Sequence, residues 1–226
     1  MGMRLQKRLA VRRDVCSRIE ADFALHASEM KTMIRKIPPF LLIILIAGSP
    51  ALADAPNRPS LWAVPIQLPG VQNLHKINDN LYRSAQPTKQ GMRNLKQFGI
   101  KTIINLRGFH SDTDELRGTG LLDKELSVKT WHIEDEDVIR VLKIIKGKDN
   151  GPFLFHCRHG ADRTGVMSAM YRIVEQGWSR DEAIEEMVKG GYGFHSMWLN
   201  IIRYVKNVDI DKIKKALVQQ GDTQEL

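Results

Sequence analysis

The sequence predicts an α/β domain built as a three-layer sandwich, with a central, largely parallel sheet flanked by helices. Three observations carry that expectation. The runs Ile100 to Leu106 (IKTIINL) and Pro152 to His156 (PFLFH) are short, continuous and apolar, the pattern of strands buried on both faces. Amphipathic helical stretches alternate with these runs, which is the signature of parallel strands joined by crossover helices. At 226 residues with 42% hydrophobic and 27% charged residues, the chain can fill one core of this kind, and its composition excludes a disordered tail, a collagen or a multi-pass membrane protein.

The elements follow in order. Asp54 to Val71 holds Pro56, Pro59, Pro65 and Pro69 with little periodicity, so residues 54–72 read as an extended arm ahead of a domain spanning 73–226. Asn80 to Arg83 follows the Asn78-Asp79-Asn80 turn as a short strand. Thr88 then caps a helix carrying Met92, Leu95 and Phe98, which Gly99 stops. After the strand ending at Leu106 and a loop rich in Gly, Ser and Asp, residues 114–125 read as weakly helical and Val128 to Ile133 as a strand. Glu134 to Asp137 opens a helix through Ile145, with acids at the positive end of its dipole. Beyond the Pro152 to His156 strand, helices are expected over Arg163 to Glu175, Asp181 to Lys189, Met197 to Val205 and, more weakly, Asp209 to Gln220. Gly190 to His195 reads as a corner between helices, with Tyr192 and Phe194 packed inside.

The first 53 residues belong to transport rather than fold. Lys31, Arg35 and Lys36 precede an apolar run from Phe40 to Ala47, helix breakers Gly48 and Pro50, and Ala51-Leu52-Ala53. A basic region, a short apolar region and an A-x-A site, in that order, make a secretory signal peptide over 30–53, with cleavage after Ala53 and a periplasmic or secreted product. Residues 1–29 read as an upstream extension, with translation starting at Met30 or Met33. The apolar stretch is too short for a membrane span, so none is expected after the leader is removed. The leader also explains the charge. The chain carries a formal +8, but residues 1–53 hold nine basic and four acidic groups, leaving 25 basic against 22 acidic. That balance argues against a nucleic-acid partner. Two cysteines exclude a disulfide scaffold, and removal of Cys16 leaves Cys157 as the lone thiol.

The chemistry concentrates around that thiol. His156-Cys157-Arg158-His159-Gly160-Ala161-Asp162-Arg163-Thr164-Gly165 joins a buried strand to a helix. Such a turn aims successive N–H groups into one concavity and places a helix N-terminus behind them, making an anion cradle. Gly160 supplies the backbone freedom the turn needs. A thiol inside a ring of donors and beside Arg163 favours the thiolate, the nucleophilic form. The planar fork of Arg163 matches two phosphoryl oxygens, and the Thr164 hydroxyl can donate to the departing sulfur. Arg158 and His159 are expected to point outward, and Arg83 to brace the sheet rather than touch substrate.

A Cys-x5-Arg-Thr loop preceded by His, in a strand-loop-helix setting, resembles the cysteine-dependent protein tyrosine phosphatase superfamily, in its compact dual-specificity form and as a bacterial exported member. Leu81 to Pro87 and Ile103 to Arg107 are similar to the entry segment and first core strand of those enzymes, so the resemblance spans roughly residues 73–208. It implies metal-free and cofactor-free two-step hydrolysis through a cysteinyl-phosphate. By position, Cys157 is the nucleophile, Arg163 the phosphate clamp, residues 158–162 the backbone cradle, and His156 and Thr164 supports. The general acid is less well marked. Asp135 ranks first, Asp162 second and Asp137 third, and each has a structural alternative as a helix-terminal or loop-bracing acid. The substrate is a phosphorylated protein, at tyrosine or at serine and threonine, or a phosphorylated lipid or sugar. A sulfurtransferase has no need of Arg163-Thr164 at this spacing. A phosphate-binding pseudoenzyme is disfavoured because nucleophile and clamp are both intact.

Overall fold

The computed structural model describes residues 58–147 and 149–219; the extension, the leader with its cleavage site, and Cys16 lie outside them. A six-stranded sheet runs through the described domain in the spatial order β1-β2-β3-β6-β4-β5. Its strands are β1 (Val64–Pro65), β2 (His75–Asn78), β3 (Leu81–Ser84), β4 (Thr102–Arg107), β5 (Leu122–Val128) and β6 (Phe153–His156). The β1–β2 and β2–β3 pairs are antiparallel, and β3–β6, β6–β4 and β4–β5 are parallel. Helices α1 (Lys89–Phe98), α2 (Thr113–Leu116), α3 (Asp135–Lys146), α4 (Asp162–Gln176), α5 (Arg180–Lys189), α6 (Leu199–Asn207) and α7 (Ile210–Val218) complete the order.

The side-chain alternation of the central strands creates the three layers. Phe153, Phe155, Ile104 and Leu106 face one core with residues of α3 to α7, whereas Leu154, Ile103 and Tyr82 face a second core against Met92 and Leu95 of α1 and Leu116 of α2. Because β6 lies between β3 and β4, its last residue, His156, is paired on both sides, with Ser84 and Asn105. The loop that follows therefore leaves from the middle of the sheet, at the carboxyl ends of the parallel strands, where α/β folds bind ligands.

Local chemistry fixes the boundaries. The Thr88 hydroxyl accepts from the Gly91 N–H to open α1, and Gly99 closes it at φ 107°, a left-handed conformation that suits glycine. Ser179 and Glu182 form a reciprocal capping box at the start of α5.

Two expectations need correction. Residues 114–125 are not one weak helix: α2 is a single turn, and strand β5 begins at Leu122. Residues 128–133 are not a strand, because β5 ends at Val128 and a turn follows, closed by a bridge between Lys129 and His132. Part of the arm joins the sheet. Val64–Pro65 pairs with β2 as the sheet edge, a place where Pro65 removes no needed donor. No helix among the described residues is long and apolar enough to cross a membrane.

Candidate active site

The segment from Cys157 to Arg163 turns from β6 into α4. Cys157 is buried, with 2% of its surface exposed, and its thiol is not in a disulfide. Arg158 and His159 are exposed, as expected, while Gly160 and Ala161 turn inward. Gly160 has φ +70°, and a Cβ there would meet Ala85 N at 2.5 Å and Ser84 C at 2.6 Å, so both conformation and close approach require glycine. Arg163 is half-buried, and its guanidinium reaches the Leu106 carbonyl at the end of β4 at 3.4 Å.

What this turn leaves open defines it. Among the described residues, no carbonyl or side chain accepts from the N–H groups of residues 158–163, and the first helical bond of α4 runs from Gly165 N to Ala161 O at 2.7 Å. Six successive donors, the start of α4 and one arginine therefore follow directly on a buried cysteine. Backbone donors without partners are rare in folded proteins, and at a helix start they bind anions. The Thr164 hydroxyl is likewise buried without a hydrogen-bond partner.

The loop's carbonyls, by contrast, are braced. Gly160 O accepts from Arg83 at 2.8 Å, His159 O from the Asn73 amide at 2.9 Å, and Arg158 O from Gln86 N at 3.3 Å. Arg83 is fully buried and lies 3.6 Å above the Tyr192 ring, so it braces the loop where the sequence leads us to expect it to brace the sheet. Tyr192 is buried in the corner after α5, as expected, and Phe194 is partly buried against the same core. The corner also reaches the loop directly: Asn73 bonds Tyr192 O, and His195 donates its backbone N–H to Asp162 Oδ1 at 3.0 Å, with Nδ1 at 2.9 Å from Oδ2.

The three acid candidates occupy different places. Asp137 receives the Glu134 N–H and holds Arg140 at 2.6 Å, so it serves the start of α3. Asp135 takes the Tyr204 hydroxyl at 3.0 Å and Lys212 Nζ at 2.7 Å, tying α3 to α6 and α7. Burial, and then the Asp135 charge, push the Tyr204 hydroxyl upward. Asp162 lies in the loop, with His195 as its side-chain partner.

Sequence reasoning missed Asp112. It is fully buried and sits 2.6 Å from His156 Nε2, with Gln86 Nε2 at 2.8 Å and His110 Nε2 at 3.4 Å from its other oxygen. Burial alone would raise its carboxyl; the His156 hydrogen bond and charge outweigh burial and hold it below the usual carboxylate range. His110, Asp112 and Glu115 could bring metal-ligating atoms within 4.8 Å of one another. Both Asp112 oxygens are already committed, so the cluster reads as loop support. Arg107 joins this network through Gln86 Oε1 at 2.8 Å; burial, then nearby Arg163, lower its pKa.

The comparisons with known proteins agree with this geometry. The family model described as a DSP-PTPase phosphatase fused to NAD+ kinase matches residues 69–199. The chain belongs to the dual-specificity-type, cysteine-dependent protein tyrosine phosphatases, and it is a phosphatase. Among individual relatives it is similar to the dual specificity protein phosphatase TpbA of Pseudomonas aeruginosa, 32% identical over 198 residues in strain UCBPP-PA14, covering 85% of this chain and 88% of the relative. The crystal structure of P. aeruginosa TpbA superposes with a TM-score of 0.65 at 33% identity, covering 71% of this chain and 99% of that one. A cysteine-to-serine variant of TpbA in complex with pTyr gives the same TM-score at 32% identity, covering 71% and 98%. An inositol diphosphatase of Arabidopsis thaliana, DSP3, is 26% identical over 157 residues, covering 65% of this chain and 74% of the relative.

Proposed function

We propose that this chain is an exported phosphatase that hydrolyses phosphotyrosine and phosphoserine or phosphothreonine monoesters through a cysteinyl-phosphate on Cys157. The observation that carries this reading is the run of unpartnered N–H groups at residues 158–163 around a buried cysteine, backed by Arg163 and the start of α4. Cys157 Sγ attacks phosphorus and forms the S–P bond as the bond to the leaving oxygen breaks. The loop donors and the Arg163 fork hold the equatorial oxygens where charge gathers. Water then attacks the phosphoryl group, and the thiolate departs with the buried Thr164 hydroxyl available to it. The pTyr complex of TpbA supports a phosphotyrosine substrate.

For the leaving-group proton, Asp162 ranks ahead of Asp135, reversing the order taken from sequence spacing. Asp135 and Asp137 are each committed to partners that organise α3, whereas Asp162 stands within the cradle and shares its oxygens with a half-exposed His195. Replacing the true acid by Asn slows alkyl phosphates far more than activated aryl esters. Measuring kcat across a leaving-group series for Asp162→Asn and Asp135→Asn decides between them: a steep dependence in Asp135→Asn alone reverses our ranking.

A second reading, a phosphoinositide, inositol phosphate or sugar phosphate substrate, is favoured by exposed Arg158 and His159 beside the cradle and by the inositol diphosphatase relative. A panel of phosphopeptides, phosphoinositides and inositol phosphates separates the two. Export is supported by the basic, apolar and A-x-A order of residues 30–53. N-terminal sequencing should find Asp54 first in an extracytoplasmic fraction, and a cytosolic product retaining residues 30–53 contradicts it.

A further inference from the structure

We infer that Asp112 is a positioning residue for the phosphatase reaction, acting through His156 on the nucleophile. The inference rests on the reading of Cys157 as nucleophile. Asp112 and His156 are both fully buried, in different elements, and meet at 2.6 Å. One carboxylate oxygen is occupied by this contact and the other by Gln86. The Asp112 backbone is fixed too: its N–H donates to Glu125 Oε1, and its carbonyl accepts the Leu116 N–H that begins α2. Asn105, the β4 neighbour of His156, ties down the approach to Asp112 by donating to the His110 carbonyl and accepting the Arg107 N–H.

This arrangement has a chemical consequence for His156. An ionised carboxylate accepts hydrogen bonds only, so the ring nitrogen facing it must carry a proton. Asp112 thereby places a proton on Nε2 and fixes the plane of the ring. Nδ1 is buried and has no hydrogen-bond partner among the described residues. A ring anchored at one end, at the last position of the central strand, sets the direction in which the next residue, Cys157, leaves the sheet. The loop carbonyls and Arg163 are held by other contacts, through Arg83, Asn73 and the Leu106 carbonyl, and Gln86 reaches the loop by its backbone N–H to Arg158 O, whereas Asp112 meets only its side chain. Asp112 should therefore govern the chemical step and leave phosphate affinity alone. The charged and titratable groups around the pair are His110, Glu125, Arg107 through Gln86, and Asp123, which burial and then Glu125 push up to about 6.

The test uses the mature enzyme with p-nitrophenyl phosphate, and inorganic phosphate as competitive inhibitor. Asp112→Asn should lower kcat at least tenfold while KM and the phosphate inhibition constant stay within twofold. Combined with His156→Asn, it should cause no further loss, because the effect passes through the imidazole. In the wild type, ¹⁵N-labelled histidine spectra should show His156 with a protonated Nε2 whose proton exchanges slowly with water. A folded Asp112→Asn enzyme with unchanged kcat, or an equal loss in the His156→Asn background, overturns the inference. Should Asp112→Asn fail to fold, a wild-type His156 protonated only on Nδ1 overturns it alone. Cys157→Ser keeps the two layers distinct: turnover in that variant removes the nucleophile reading, whereas a silent Asp112→Asn beside an inactive Cys157→Ser removes only this one.

Discussion

Two polar regions of this molecule are built on opposite plans. Around Glu186, every oxygen is committed: Arg172 grips it with two bonds of 2.7 and 2.8 Å, Ala63 N donates at 2.7 Å, and the Tyr192 hydroxyl donates at 3.0 Å. Arg58 closes the cluster from the arm by bonding Gly190 O, Ala63 O and the Tyr192 hydroxyl. Around Cys157, a row of donors has no partner at all among the described residues. A paired network specifies structure, whereas a row of unpaired donors at a helix start is disposed to bind an anion. The first cluster holds the second in shape, because Tyr192 joins Glu186 on one side and supports Arg83 on the other.

Substitutions in the two regions separate activity from stability. The largest expected effect is at the unpaired region: Arg163→Lys keeps the charge but loses the fork, and should cost about a thousandfold in kcat/KM with an unchanged melting temperature. Steady-state kinetics beside calorimetry reads both. At the paired region the order reverses. Glu186→Ala strands the Arg172 charge and should lower stability by about 3 kcal/mol in urea unfolding, while kcat per folded molecule falls much less.

Acid should act on the paired region first. Burial pushes the His75 imidazole down to about 4, against the pull of its contact with the Asn73 carbonyl, and its ring stands edge-on to Tyr192 with the ring centroids 4.7 Å apart. A folded value below the ordinary 6.5 means that the unfolded chain binds the proton first. The His75 contribution is therefore complete above pH 6.5 and declines by about 3 kcal/mol toward pH 4. His75→Phe should flatten that slope. Glu186 adds its own loss at lower pH: burial would raise its carboxyl, but the Arg172 bonds hold it below the ordinary 4.5, so its share disappears as pH falls through that lower value. The smallest effect is at Asp135, whose contact with exposed Lys212 should be worth under about 1 kcal/mol in an Asp135→Asn thermal melt.

Sequence alone exposed the parts whose signals are local. Strands β4 and β6 are apolar runs because both their faces are covered, and α1 carries its cap and its glycine stop in adjacent residues. The Cys157 loop was legible because all of its donors and its arginine lie within seven consecutive residues. Strand β5 was hidden because, at the sheet edge, LDKELSV exposes most of its length and shows no clean alternation. Strand β2, His75–Asn78, is too short and polar to stand out from the turn that follows it. Asp112 was invisible for another reason: it lies 44 residues before His156, in a loop of ordinary Ser, Asp and Thr, and only the pairing of β4 with β6 brings the two together. The roles of Asn73 and His195 in bracing the cradle depend on tertiary closure in the same way.

On the mechanism we propose, the unpaired loop holds a phosphoryl group on Cys157. Rapid acid quench during turnover of a ³²P-labelled phosphotyrosine peptide, followed by peptide mapping, tests it most directly. Label should appear on the peptide containing Cys157 at a level approaching one per enzyme molecule at early times, and should be absent from Cys157→Ser, which still binds phosphate but does not turn over. Label on any other residue, or steady turnover by Cys157→Ser, would contradict the account.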